Sequence, residues 1–185
     1  MSKIKYMIKK FQFYPTPRPI AELVCDMAEL SSAENILEPS CGKGDLADVI
    51  YERNKNLFCI ELNRDMKMYL DEKPYTCIVG IDFLEYSLGI LKPFDRIVMN
   101  PPFSKQRDIT HIRHAYSMLK DDGILVAVSS IYPFERNDDI SVEFRKWLSN
   151  KNAEIVHIEK GAFKDSGTLV ATKIIKLVGG ESSRR

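Results

Sequence analysis

The chain has 185 residues, which is enough for one domain with a full hydrophobic core and too few for two such domains. Apolar residues make up 44% and charged residues 29%, as in an ordinary globular protein. The net charge of +1 is too small for the whole surface to attract an anionic partner such as a nucleic acid. The sequence has no apolar run of the roughly 20 residues that cross a bilayer and no signal-peptide core, so we expect a cytoplasmic protein without membrane partners.

Apolar residues recur at helical spacing among lysines in residues 1–14. This pattern predicts a basic amphipathic helix, which either packs on the edge of the domain with solvated lysines or contacts nucleic acid or a membrane. The following stretch, Phe13 to Pro19, contains three alternating prolines and therefore predicts a stiff, extended loop. That loop suits either a linker or a clamp on a charged small molecule, because it presents a hydroxyl and backbone groups just before a helix start.

The rest of the chain alternates between strand-like and helix-like segments. The predicted strands cover residues 35–38, 57–61, 75–79, 94–99, 124–129, 154–159 and 169–177. The predicted helices cover residues 20–30, 45–53, 64–70, 109–119 and 142–148. This alternation predicts an α/β fold with a seven-stranded, mostly parallel sheet, helices on both faces and an antiparallel last strand. We divide the chain into an N-terminal helix and proline-rich segment (1–18), one main domain (19–178) and a disordered tail (179–185).

The turn after the first predicted strand has the composition of a ligand-binding loop. It reads Glu38-Pro39-Ser40-Cys41-Gly42-Lys43-Gly44 and leads straight into a helix. Small residues let the backbone approach a ligand, but the glycine spacing matches neither the dinucleotide fingerprint nor the P-loop. The carboxylate of Glu38 would repel a pyrophosphate and attract an ammonium or sulfonium group.

Two further predicted strands also lead into acidic residues. Glu61 ends the second strand, where it can accept hydrogen bonds from both hydroxyls of a ribose. Asp82 and Phe83 follow the third strand and offer an acceptor for an adenine amino group and a ring to cover its face. Because open α/β sheets bind ligands at the carboxyl ends of their strands, the carboxylates of Glu38, Glu61 and Asp82 predict a site for S-adenosylmethionine (AdoMet).

The tetrapeptide Asn100-Pro101-Pro102-Phe103 follows the fourth predicted strand. The two prolines end the strand and hold Asn100 at its tip. An amide acceptor, a fixed carbonyl and an aromatic face can grip a flat group that carries an NH2. A plain strand-ending turn capped by asparagine is the alternative.

With these residues in view, the chain resembles the amino-methyltransferases of the class I, seven-stranded fold, specifically the N6-adenine DNA methyltransferases. The resemblance covers nearly the whole chain in the family's motif order. Its parts are the proline-rich segment (13–17), the AdoMet loop (38–44), the NPPF motif (100–103), the turn into the fifth strand (122–125) and the closing hairpin (163–177). The order of the AdoMet and catalytic motifs resembles the gamma arrangement and the modification parts of some restriction systems.

The resemblance implies a role for each matching residue. In the catalytic motif, the target base stacks on Phe103 and its amino group donates to the Asn100 side chain and the Pro101 carbonyl, with Pro102 completing the motif. The implied cofactor-binding residues are Tyr14, Thr16, Pro17, Glu38, Ser40, Cys41, Gly42, Gly44, Glu61, Leu62, Asp82, Phe83 and Asn100.

The sequence contains few residues or segments that could recognise a particular nucleic acid. Six basic residues could bind phosphates, although solvated faces are the commoner reason for such residues: Lys105, Arg107, Arg113, Arg136, Lys160 and Lys164. The predicted loop after Phe103 spans only Ser104 to Thr110, and no segment is long enough for a target-recognition domain. We therefore expect slight DNA specificity, a separate specificity subunit, or a structured RNA recognised by its shape.

The cysteines and histidines predict neither a metal site nor a disulfide. Cys25, Cys59 and Cys77 lie in periodic apolar segments, as reduced core thiols do. His111 and His114 are three residues apart on a predicted helix but lack a third ligand, so we expect surface or capping histidines.

Four functions are compatible with the sequence. The first is transfer of a methyl group from AdoMet to N6 of adenine in DNA, and the second is the same reaction on RNA. The NPPF motif also occurs in protein-glutamine methyltransferases, which makes a glutamine amide the third candidate. The fourth is a non-catalytic AdoMet-binding subunit, and the presence of Asn100, Glu38, Glu61 and Asp82 argues against it.

Overall fold

Seven strands form one sheet in a computed structural model, which describes residues 14–86, 93–166 and 170–180. The strands are β1 (Ile36–Glu38), β2 (Leu57–Glu61), β3 (Thr76–Val79), β4 (Phe94–Met99), β5 (Leu119–Ser130), β6 (Glu154–Ile158) and β7 (Thr172–Val178). The helices are α1 (Arg18–Ala28), α2 (Asp45–Arg53), α3 (Lys67–Leu70), α4 (Arg107–Ser117), α5 (Tyr132–Glu135) and α6 (Asp139–Asn150). The basic helix predicted within residues 1–14 lies almost wholly outside the described residues, as does the end of the predicted tail, 181–185. In the described part of the chain, no helix has both the length and the apolar character needed to cross a membrane.

The sheet has the predicted architecture. Its strand order is β3-β2-β1-β4-β5-β7-β6. Neighbouring strands from β3 to β5 are parallel, whereas β7 runs antiparallel to both β5 and β6. The chain therefore moves outward from β1 to one side of the sheet and then from β4 to the other. The chain leaves the carboxyl ends of β1 and β4 in opposite directions at this point, which is where open α/β sheets hold ligands.

Helices cover both faces of the sheet, because alternate strand residues point to opposite sides. Val98 on β4 belongs to the hydrophobic cluster that contains Val24 of α1 and Ile50 of α2. The preceding residue, Ile97, belongs to a second cluster that contains Ile112 of α4 and Phe144 of α6. The two clusters form the core on either side of a doubly covered sheet.

The boundary between α4 and β5 differs from the prediction. The helix predicted to end at Leu119 ends at Ser117, and Leu119 already pairs with Phe94 on β4. The strand was predicted to start only at Ile124, since the polar residues before it resemble a turn. They form an irregular start of β5 instead, with Asp122 at φ 63° and a register shift opposite Phe94 and Arg96.

Other boundaries also differ by small amounts. The helix predicted for residues 64–70 is a 3-10 turn (Arg64–Met66) followed by α3, and α5 was not predicted. α6 is longer than predicted because the Asp138 side chain caps it by accepting from the backbone N–H of Ser141. β7 begins at Thr172, and Leu169, the first residue of the predicted strand, lies outside the described residues.

A glycine is required at the turn between β1 and α2. Gly44 has φ +95°, a conformation that side chains disfavour. A Cβ atom there would also collide with the hydroxyl of Tyr75, which donates to Asp48 on α2. The turn is therefore tight because of its backbone conformation and because of the tyrosine packed against it.

We expect Gly44→Ala to lower the free energy of unfolding by about 1–3 kcal/mol, because it combines backbone strain with a steric clash. Tyr75→Phe removes the hydroxyl, so the cost of Gly44→Ala should be smaller in the Tyr75→Phe background than in the wild type. Urea denaturation of the two single variants and the double variant measures both costs. Equal costs in the two backgrounds would show that Tyr75 does not restrict this position.

A buried carboxylate joins α4 to the carboxyl end of β5. Asp108, in the first turn of α4, is fully buried and accepts from the hydroxyls of Ser129 and Ser130 and from the backbone N–H groups of Ser130 and Ile109. Burial raises the pKa of Asp108, and the hydrogen bonds oppose that rise by stabilising the charged form. The network fixes the helix that follows the NPPF motif against the neighbouring strand.

Asp108→Ala should lower the free energy of unfolding by about 2–4 kcal/mol, since it leaves buried donors without an acceptor. Glu143→Ala, at an exposed position of α6, is the matched control and should change stability by less than about 0.5 kcal/mol. Chemical denaturation of both variants tests this difference. Similar small effects for the two would mean that the Asp108 network contributes little to stability.

Candidate active site

A cleft with a solvent-accessible volume of about 110 Å³ lies at the carboxyl ends of β1, β2 and β4 and is open to solvent. Most of the residues predicted to bind a cofactor line it: Tyr14, Thr16, Glu38, Ser40, Cys41, Gly42, Glu61, Leu62, Asp82, Phe83 and Asn100. Pro102 of the NPPF motif also lines it. Seven lining residues were not predicted as site residues: Pro15, Pro39, Asp45, Leu46, Asn63, Met66 and His111. The fold thus gathers side chains from six separate segments into one cleft.

Glu38 is the least solvated charged group of the cleft. Its side chain ends β1 and is only 1% exposed, and its Oε2 atom has no hydrogen-bond partner among the described residues. Burial raises the pKa of Glu38 well above its usual range, and nearby Cys77, Asp45 and Glu61 add to the rise. A carboxyl group in this environment is complementary to a ligand cation, which would pair its orphan oxygen and favour its ionised form.

Glu61 connects the turns after β1 and β2. Its two oxygens accept from the backbone N–H of Gly42, at 2.7 Å, and from that of Asn63, at 2.6 Å. Burial raises the pKa of Glu61 despite these backbone hydrogen bonds. Each carboxylate oxygen has a second lone pair, so Glu61 can still accept from two hydroxyl groups of a ligand.

Asp82 and Phe83 form the opposite part of the cleft, next to α4. Asp82 Oδ1 accepts from the backbone N–H of Leu84, which leaves Oδ2 available to a ligand. Phe83 is buried, with its ring centroid 4.7 Å from that of His114 in an edge-on arrangement. This part of the cleft offers an acceptor next to an apolar wall.

The residues of the cleft fit AdoMet. Besides Glu38 Oε2, two more buried polar atoms at the cleft, Ser40 Oγ and Asn63 Nδ2, have no partner among the described residues. Buried polar groups without partners are rare in proteins and usually mark a place where a ligand, ion or water binds. A ligand with an amino acid end, a ribose and a base offers partners to all of these atoms.

The side chain of Asn100 is oriented by the proline-rich segment. Its Nδ2 donates to Thr16 Oγ1 at 3.0 Å and to the carbonyl of Tyr14 at 3.4 Å. Because a carbonyl can only accept, these contacts place the amide nitrogen toward the segment and leave Oδ1 as an acceptor for a substrate. The Phe103 ring is buried and nearly parallel to that of Tyr14, with centroids 6.4 Å apart and an interplanar angle of 16°.

The backbone after the NPPF motif differs from the predicted seven-residue loop. A single 3-10 turn (Ser104–Gln106) leads directly into α4, so the connection is shorter than predicted. Lys105 and Gln106 both have positive φ, at 54° and 59°. Gln106 Nε2 donates to both oxygens of Asp138, at 3.0 and 3.1 Å, and to Ser141 Oγ. The amino-terminal end of α6 therefore holds this strained turn in place.

The basic residues predicted to contact nucleic acid lie in different environments. Arg107 lines the cleft, whereas Lys105 is exposed beside it. The Arg113 guanidinium lies 5.5 Å from the centroid of the Trp147 ring, and the Arg136 guanidinium lies 4.9 Å from that of Tyr132. Lys160 and Lys164 are exposed.

The four cysteines are free thiols. The sulfur atoms of Cys41 and Cys77 are 3.4 Å apart, which is contact distance for two thiols. Among the described residues, no group of three or more histidine, cysteine and acidic side chains is arranged to hold a metal ion.

Solved methyltransferase structures share this fold. The methyltransferase subunit of a type I restriction-modification system from Streptococcus thermophilus matches 92% of this chain and 45% of its own, with a TM-score of 0.74 and 19% identity. A putative class I AdoMet-dependent methyltransferase from Listeria monocytogenes matches 92% of this chain and 62% of its own, with a TM-score of 0.67 and 15% identity. A putative RNA methyltransferase from Pyrococcus horikoshii matches 97% of this chain and 99% of its own, with a TM-score of 0.66 and 17% identity.

The chain thus spans less than half the length of the restriction-modification subunit. No protein-family model and no curated protein matches the sequence. The strand order, the single reversed strand β7 and the likeness to these enzymes together identify the architecture. The chain has the class I methyltransferase fold.

Proposed function

We propose that the chain is an AdoMet-dependent methyltransferase that modifies the N6 amino group of adenine in DNA. The observation that carries this proposal is the orientation of Asn100, whose amide oxygen is left as an acceptor in the same cleft as the unpaired carboxyl of Glu38. The Asn100 oxygen binds the amine that is methylated, and the Glu38 carboxyl binds the ammonium group of the methyl donor.

The cofactor would lie along the cleft with each end held by different strands. Glu38 would bind the ammonium group of its amino acid end, Glu61 would accept from the ribose hydroxyls, and Asp82 and Phe83 would hold the adenine. When bound, AdoMet supplies a methyl group activated by its sulfonium. Burial of Glu38 strengthens its attraction for a cation, because water does not screen the pair.

The chain's own contribution to the reaction is to orient a poor nucleophile. The lone pair of an aromatic amine is delocalised into the ring, so the amine must be held with its lone pair toward the methyl group. The Asn100 side-chain oxygen and the Pro101 carbonyl accept its two hydrogens, and Phe103 stacks on the base. These acceptors stabilise the positive charge that develops on the nitrogen, and the nitrogen then loses a proton to water.

DNA is the first choice of substrate because the Tyr14–Pro17 segment, which resembles the adenine-specific enzymes, holds Asn100. The likeness to a type I restriction-modification subunit agrees with DNA and with a separate specificity subunit as a partner. Structured RNA is the second candidate, favoured by the likeness to a putative RNA methyltransferase over 97% of this chain. Lys105, Arg107, Arg113 and Arg136 are the proposed phosphate contacts.

Asn100→Ala should lower the rate of methyl transfer at least tenfold. The loss should be about 100-fold if both hydrogen bonds of the target amine in the transition state depend on the Asn100 side chain. The assay measures transfer of label from AdoMet to DNA, ribosomal RNA, transfer RNA and a protein lysate in parallel. Asn150→Ala, at an exposed position in the last turn of α6, is the matched control and should leave the rate unchanged.

The parallel substrates separate the candidate functions. Label in digested DNA as N6-methyladenine supports the proposal, and label in RNA or in glutamine assigns the corresponding alternative. An Asn100→Ala rate within tenfold of the wild type would show that the NPPF motif is not catalytic. Binding of AdoMet without transfer to any substrate would support a non-catalytic subunit or a missing partner.

Glu38→Gln should weaken binding of S-adenosylhomocysteine, the demethylated cofactor, at least tenfold without lowering the free energy of unfolding. The variant keeps the shape of the side chain but removes a charge that burial disfavours, so affinity and stability should not fall together. Titration calorimetry and urea denaturation measure the two quantities, with the exposed Glu72→Gln as control. Unchanged affinity would exclude Glu38 from the cofactor site.

A further inference from the structure

His111 lies in the wall of the cleft, although its sequence position gave no sign of this. It sits on α4, one turn after Arg107, and is only 6% exposed. It nevertheless lines the cleft together with Asp82 and Phe83. Its ring centroid lies 6.0 Å from that of Phe83, with a tilt of 39° between the rings. The imidazole is thus part of the wall that would face the base of a bound nucleoside.

The hydrogen bonding of His111 fixes its protonation pattern. Nδ1 lies 2.9 Å from the carbonyl oxygen of Arg107. Because that oxygen can only accept, Nδ1 carries the hydrogen. Burial lowers the pKa of His111, so the ring is neutral at pH 7 and Nε2 is a bare acceptor. Nε2 has no hydrogen-bond partner among the described residues, and it is not enclosed as His114 Nε2 is.

The neighbouring carboxylate leaves a second acceptor on the same wall. Asp82 uses Oδ1 to accept from Leu84, and its negative charge acts on the His111 ring. A ligand edge that satisfies both the free carboxylate oxygen and the histidine nitrogen must present two hydrogens. The exocyclic amine of adenine carries two, whereas a carbonyl at the same position carries none and would face two lone pairs.

We propose that His111 Nε2 and the Asp82 carboxylate together accept the two hydrogens of the 6-amino group of the cofactor's adenine. His111 is then a specificity-determining residue that makes the cleft reject a 6-oxopurine nucleoside. The inference rests on the proposed function, because it takes AdoMet as the ligand. A binding measurement can test it without any methyl transfer.

The first test compares S-adenosylhomocysteine with S-inosylhomocysteine, in which a carbonyl replaces the amine, by titration calorimetry. The wild type should bind the adenosyl compound at least tenfold more tightly. His111→Phe keeps a ring against Phe83 but lacks the acceptor, so it should lose about tenfold affinity for the adenosyl compound and little for the inosyl compound. His157→Phe, at an exposed position on β6, is the control and should change neither affinity.

A second test uses the wild type alone and does not depend on the folding of a variant. In ¹⁵N-labelled protein, the Nε2 resonance of His111 should shift when S-adenosylhomocysteine binds, and Nδ1 should keep its hydrogen. The bound ligand should also lower the pKa of His111 further, because a protonated Nε2 can no longer accept. An Nε2 resonance that does not move on saturation with the ligand would overturn the proposal.

The pH dependence of binding gives a third readout. The charged or titratable groups that act electrostatically on the His111 ring include Asp82 from the turn after β3, and Arg107 and His114 from α4. Since the pKa of His111 is below its usual value of about 6.5, affinity for S-adenosylhomocysteine should fall only as the pH drops below that value. His111→Phe should lack this loss of affinity at low pH. Any pH dependence that comes from Glu38 and Glu61 should be the same in the variant and in the wild type.

The outcomes separate this inference from the proposed function. Equal losses for both ligands in His111→Phe, or no discrimination by the wild type, would overturn the role of His111 while leaving the AdoMet site intact. If the wild type binds neither ligand, the proposed function and this inference both fail. Rescue of part of the lost affinity by His111→Gln, which restores an acceptor, would support the proposal.

Discussion

The short pairing between β1 and β4 is the constraint on which the site depends. These strands are neighbours in the sheet although β2 and β3 lie between them in the chain, and Leu37 pairs with Ile97. One strand continues to Glu38 and the other to Asn100 within a few residues. The pairing between them ends at Leu37 and Ile97, before the prolines that follow Asn100, and the chain leaves the two strands toward opposite sides of the sheet, where a cleft forms. The cofactor residues and the substrate residues meet because the sheet reverses its order here.

Three buried carboxylates with raised pKa values have different environments and different consequences. Asp108 is surrounded by donors and holds α4 against β5. Glu61 is also satisfied by backbone donors, but it retains lone pairs toward the cleft. Glu38 has an oxygen without a partner among the described residues. The direction of a pKa shift therefore does not identify a ligand site by itself, whereas a missing hydrogen-bond partner beside a cleft does.

Sequence patterns predicted the sheet and most of the cleft because both depend on local signals. Apolar runs indicated strands, and segments with helical periodicity between them indicated helices. The carboxylates stood at the ends of these predicted strands or just after them. His111 could not be found in this way, since two histidines three residues apart on a helix have no spacing that distinguishes a cleft wall from a surface. The start of β5 at Leu119 was missed because Asp121 and Asp122 resemble a turn, and only pairing with β4 makes that segment a strand.

The strained turn after the NPPF motif has a consequence for how this sequence can diverge. Asp138 accepts four hydrogen bonds, two from the Gln106 amide and two from Ser141, using both of its oxygens. Asparagine is a good helix cap, yet it has only one acceptor oxygen and would turn an NH2 toward a donor. The residue at position 138 therefore depends on the residue at position 106, because Gln106 donates to both carboxylate oxygens of Asp138. In any homologous sequence that keeps this glutamine, we expect aspartate at the cap, and drift at either site to be accompanied by a change at the other.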